Sequence, residues 1–177
     1  MSRSVIRLKK PFENASSQYI DGSTDMRIGC KLQITHQDGY RPKSALIAAL
    51  AMPVGATAWT SNQVDTILNY NYGWDIADRV SLGGSTGTWW TKSEGDQYTV
   101  MHQSAVVGLG ITEQLGCYLE WFGLFFDGSV DARPNHYLNT GLTYLITNDF
   151  QVDWRIGSGL TESADDFFTG VGFAIRK

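Results

Sequence analysis

From about Ala105 to Arg176 the chain repeats one pattern four times: about ten alternating residues, then a turn. Phe150, Val152, Trp154 and Ile156 are apolar, and Gln151, Asp153, Arg155 and Gly157 between them are polar or tiny. The same alternation sets Leu138, Thr140, Leu142, Tyr144 and Ile146 against Tyr137, Asn139, Gly141 and Thr143. It also sets Phe167, Thr169, Val171, Phe173 and Ile175 against Phe168, Gly170, Gly172, Ala174 and Arg176. Successive side chains of a β-strand point to opposite faces, so period two predicts strands whose faces meet different surroundings. One face is bulky, apolar and aromatic. The other carries glycine, charge and amide.

A soluble sandwich buries its bulky face and fills the opposite face with Lys, Glu and Thr for water. Here glycine is heavily used on the polar face, and Asp153 and Arg155 share one strand. A narrow polar interior inside a greasy exterior is the pattern of a transmembrane barrel. The alternative is a soluble antiparallel β-protein, sandwich or lipocalin-like, that binds an apolar ligand. A lipocalin would reverse the facing and put Trp154 and Phe173 in its cavity.

The rest of the chain extends the pattern. Residues 1–23 read as an irregular lead-in, broken by Pro11 and Asn14-Ala15-Ser16-Ser17, with a possible strand remnant at Val5–Leu8. Strands are predicted over 24–35, 44–52, 64–75, 80–92, 98–112 and 117–126 before the three above. Ser44–Met52 is apolar throughout, so periodicity alone does not separate strand from helix; Pro53 and the neighbouring strands favour strand. The prediction is an all-β, antiparallel up-and-down meander of about nine strands, part or all of a transmembrane β-barrel. Connections at 76–79, 113–116 and 148–149 read as tight, and those at 57–63, 93–97, 127–136 and 161–166 as longer. Membrane barrels have short periplasmic turns and longer outer loops, which places Lys177 on the periplasmic side and Thr24 on the outer side. A barrel with an even strand number then needs a strand before Thr24. The expected division is a lead-in over 1–23 and a barrel domain over 24–177, the C-terminal portion of a larger barrel.

Composition narrows the classes. Charged residues are 18% of the chain, below the usual quarter or so, and the net charge of −4 leaves no nucleic-acid footprint. No run of 18 apolar residues occurs, which excludes a membrane-spanning helix but not a membrane strand. Parity places Cys30 and Cys117 on the bulky faces of separate strands, as small apolar fillers. The basic stretch Met1–Lys10 has no apolar segment after it and is not a secretory signal, so the chain is expected to be truncated or processed.

Several motifs, in order and spacing, resemble the outer-membrane family named for a transporter of the phenol-degradation meta pathway. They are Tyr40-Arg41-Pro42, Tyr72-Gly73-Trp74-Asp75, Glu120-Trp121-Phe122, Gly141-Leu142-Thr143-Tyr144, Asp153-Trp154-Arg155-Ile156-Gly157 and Ala164-Asp165-Asp166-Phe167-Phe168. The resemblance covers roughly Thr24 to Arg176 and is densest from Gly108 onward. It implies a Gram-negative outer-membrane barrel that passes small solutes, hydrophobic or aromatic ones included, and that is inserted by barrel-assembly machinery. The chain departs from the pattern in ending Ile175-Arg176-Lys177 without a terminal aromatic.

Candidate chemistry is sparse. His102 and Ser104 share an inward face, which makes acyl transfer conceivable, but any water-lined barrel carries such polar pairs. Gly83-Gly84-Ser85-Thr86-Gly87 lacks the Lys-Ser/Thr and the helix of a phosphate loop and reads as a thin strand. No metal-ligand spacing appears, and no cofactor or catalytic residue is expected. Glu120, Asp153 and Arg155 are candidates for a lumen charge cluster, joined by Arg27 and Lys31 on the inward face. These charges either narrow a pore or simply satisfy one another in its wall. Tyr72, Trp74, Trp90 and Tyr144 are candidates for an interfacial girdle against outer-membrane lipid. The expected activity is passive passage of small solutes, without enzymatic chemistry.

Overall fold

The computed structural model describes residues 5–8, 23–57, 60–93, 96–128 and 133–176. Among the described residues, ten strands form one antiparallel sheet. They are β1 (Val5–Leu8), β2 (Met26–Thr35), β3 (Lys43–Met52), β4 (Asp65–Ala77), β5 (Val80–Ser93), β6 (Asp96–Gly110), β7 (Leu115–Asp127), β8 (Asn135–Thr147), β9 (Phe150–Gly159) and β10 (Phe167–Ile175). From β2 to β10 the nine strands run up and down, each paired with the next, and the sheet curls into a half-barrel. Among the described residues there is no helix.

Register preserves the alternation read from the sequence. Leu142 pairs with Trp154, and Trp154 with Val171; Tyr144 pairs with Val152, and Val152 with Phe173. These side chains therefore stack in rows on one face, where cross-strand contacts stabilise the pairing. All but Val152 are exposed, Val171 at 66%. On the opposite face Asn139 is only 2% exposed. The apolar side chains thus point away from the side where the protein buries its residues.

Both sides of the strand order are pinned by turns. One side carries residues 36–42, 78–79, 111–114 and 148–149, and the chain end joins it where the Arg176 N–H donates to Asp149 O at 2.9 Å. Gly39 sits at φ +56° in the turn closed by reciprocal backbone bonds between Asp38 and Arg41, a backbone state that glycine adopts without a Cβ penalty. The other side carries the described residues 53–57, 60–64, 128, 133–134 and 160–166, and the start of β2 joins it where the Ala56 N–H donates to Ser23 O at 2.8 Å.

Several boundaries differ from the sequence reading. The polar stretch 93–97 is mostly strand: Ser93 pairs with Asp96 and Lys92 with Gln97, and 94–95 lie outside the described residues. Polar residues there belong to the ladder and do not mark its end. Ile76 and Ala77 stay in β4, and the next turn falls at 111–114, where Thr112 Oγ1 accepts from the Gln114 and Leu115 N–H groups. Within the lead-in, Val5–Leu8 is strand β1, antiparallel to β10 from Val5 opposite Gly170 to Leu8 opposite Phe167. The remainder of the lead-in up to residue 22 lies outside the described residues, as does Lys177. β1 and β2 are the two edges of the sheet. Cys30 and Cys117 are free, on β2 and β7, strands that do not neighbour each other.

Candidate functional site

The polar face is the candidate site. Its two halves differ. Across β7 to β10 the wall is aromatic toward the 160–166 loop. Phe122 stacks on Tyr137 with ring centroids 4.6 Å apart, and Phe168 meets both edge-on, at 6.1 and 5.9 Å. Tyr137, Phe168 and Ala164 are buried together, with Phe122 and Leu124 packed against them. β7 and β10 are three strand steps apart, ~14 Å on a flat sheet, so the short Phe122–Phe168 contact marks this face as the concave one. Glycine makes the room: the Phe168 ring lies over Gly157, and the Tyr118 ring lies over Gly141.

Three of the predicted charge candidates make contacts on this wall. Glu120 accepts a hydrogen bond from Asn139 Nδ2 at 3.0 Å. The Asp153 carboxylate lies over Gly172, where an added Cβ would stand 2.7 Å from Oδ2. The Arg155 guanidinium stands 5.6 Å from the Phe168 ring centroid, a cation–π placement. Arg27 and Lys31 sit exposed on edge strand β2, opposite Ala51 and Ile47. Within one strand pair, Lys43 Nζ and Asp75 form an ion pair at 2.7 Å beside the turns.

Across β4 to β6 the wall is a polar chain. Ser85 Oγ is 3.3 Å from His102 Nε2 and 3.0 Å from Ser104 Oγ. Asn69 Nδ2 donates to Asn71 Oδ1 at 2.9 Å, and the Trp89 ring lies 5.8 Å from the His102 ring. Gly87 lies under both His102 and Asn69, and Gly83 between Gly73 and Val106; the glycine run is a strand with larger side chains laid over it. A serine nucleophile needs a histidine oriented by a third group. His102 Nδ1 has no such partner among the described residues. His36 and His136 lie elsewhere, in a turn and beside Trp121.

The girdle candidates all lie on the apolar face. Trp74 and Tyr144 are near the 78–79 and 148–149 turns, and Trp90 is near the opposite rim; Tyr72 lies one row inside Trp74. Their polar atoms reach rim groups: Trp74 Nε1 donates to Tyr40 O at 2.8 Å, and Tyr144 Oη is 3.5 Å from Gln114 Oε1. The sequence reading took Trp121 only as part of a family motif, not as a girdle candidate; its ring stacks on His136 at 5.6 Å on this same face. It names Phe122 and Phe168 in family motifs and places Tyr137 and Phe168 opposite the bulky face, but does not bring the three rings together. Assembling the trio requires knowing that strands three steps apart bend toward each other.

Fold and faces together define an antiparallel half-barrel sheet with a polar, glycine-rich concave wall and an apolar, aromatic-edged outer wall. The chain belongs to the family described as Putative MetA-pathway of phenol degradation, whose model matches residues 5–176. The matched region takes in every strand from β1 to β10. A comparison with curated proteins gives no match.

Proposed function

We propose that this chain builds the wall of an outer-membrane barrel through which small solutes pass passively. The inversion of its faces carries the reading. Trp154, Val171 and Phe173 are 45–66% exposed on one side, while Asn139 and Ser104 are buried on the other. Water penalises such an outer surface, whereas hydrocarbon accepts it. A lipocalin-like arrangement would need Trp154 and Phe173 in the cavity, and they occupy the opposite face.

The concave wall fits a conduit. It carries charges of both signs, Arg27, Lys31, Asp65, Glu120, Asp153 and Arg155, so its field favours neither cations nor anions strongly. The aromatic trio of Phe122, Tyr137 and Phe168 offers ring faces to a passing aromatic solute, in keeping with the family's description. In the outer membrane its partners are lipid, the solute and the barrel-assembly machinery. The test is solute uptake by proteoliposomes. The expected result is uptake that falls with solute size, depends weakly on solute charge and does not saturate. Uptake no faster than in protein-free liposomes would contradict the proposal.

A further inference from the structure

At one rim the concave wall is covered by backbone. Gly159 pairs with Tyr137, so a side chain there would point to the concave side. An added Cβ would stand 2.5 Å from Asp165 O and 2.7 Å from Ala164 Cβ. The connection between β9 and β10, residues 160–166, therefore does not run straight on from its strands. It folds back over the inner wall. Ala164 is 7% exposed and is buried together with Tyr137 and Phe168, both of which point inward. A glycine inside a strand often marks the close approach of another backbone, and Gly159 is such a place.

A segment that leans over a wall takes backbone polar groups away from water, and it stays there only when they are paired. Here the pairing is dense. The Gly159 N–H donates to Asp165 O at 2.9 Å, the Leu160 N–H to His136 O at 2.7 Å and the Ala164 N–H to Thr161 O at 3.0 Å. Side chains fasten the segment to the neighbouring connection. Thr161 Oγ1 accepts from the His136 N–H at 3.2 Å, and Ser163 Oγ donates to Pro134 O at 3.2 Å. Asp165 N lies 3.5 Å from Tyr137 Oη, over the aromatic trio.

We infer that residues 160–166 are a fixed constriction, tied inward at one mouth of the conduit, and that they set the largest solute that passes. This rests on the conduit reading above. It places size selection in a loop, where pore diameter is decided by how far the backbone leans inward, and not in the strands of the wall.

The test is swelling of proteoliposomes in a neutral monosaccharide and in a neutral trisaccharide, so that size varies and charge does not. Two variants release the loop by different routes. Gly159→Val fills the space that Asp165 O and Ala164 occupy and pushes the loop off the wall. Thr161→Ala with Ser163→Ala removes both side-chain ties and adds no bulk. In each, the expected rate for the trisaccharide, relative to that for the monosaccharide, rises roughly threefold or more over the unaltered chain. A general loosening of the wall would instead raise both rates together, and that result would overturn the inference. So would an unchanged ratio in the Thr161→Ala/Ser163→Ala variant, whether or not Gly159→Val folds. Swelling with the unaltered chain no faster than in protein-free liposomes, for either sugar, would overturn the conduit reading and this inference with it.

Discussion

At the scale of the residue, what decides each position is its face. Parity alone placed Leu142, Trp154 and Val171 on one side and Asn139, Asp153 and Arg155 on the other, and register agrees. What each inward side chain touches was not legible, because contacts over glycine depend on how far neighbouring strands lean. Gly157 illustrates this. An added Cβ would stand 2.7 Å from Asn139 Cβ and run into the Phe168 ring, so Gly157→Val should destabilise by about 1–3 kcal/mol through overpacking. The expected observation is a lower urea midpoint for unfolding from detergent; an unchanged midpoint would show that Phe168 can swing aside. On the other face, Val171→Arg should cost ~2–4 kcal/mol if the residue lies near the bilayer midplane. Folding titrations into liposomes measure that loss. The same substitution at zero cost would mean that Val171 faces water.

At the scale of the element, alternation was enough to find β2 to β10, and it failed where chemistry changes along a strand. The stretch 93–97 reads as a loop because it is polar, yet Lys92 with Gln97 and Ser93 with Asp96 continue the β5–β6 ladder. Val5–Leu8 is too short for period two to establish, and its pairing with β10 is a long-range fact. The interior trio is likewise a property of elements, since β7, β8 and β10 each contribute one ring. If the trio narrows the conduit, Phe168→Ala should raise small-solute uptake several-fold. Glu120→Ala should leave uptake nearly unchanged. It should still destabilise by about 1–3 kcal/mol, because the Asn139 amide, 2% exposed, loses its acceptor. Proteoliposome uptake and urea unfolding on the same two variants separate these effects. A rise in uptake with Glu120→Ala alone would return the constriction to the charges.

At the scale of the whole molecule, the account is that one curled sheet separates hydrocarbon from a wet interior. Composition pointed this way only weakly, because a barrel strand is half polar and averages out in any window. The alternation pointed to it more firmly, and the burial of the glycine-rich face gives the curl its direction. The most direct test is a nitroxide scan along β8 from Leu138 to Ile146 in bilayers, reading collision with oxygen, which partitions into lipid, and with a water-soluble nickel chelate. The account predicts period two: oxygen dominates at Leu138, Leu142, Tyr144 and Ile146, and nickel at Asn139, Gly141 and Thr143. The reverse alternation, or nickel access at every position, would contradict it.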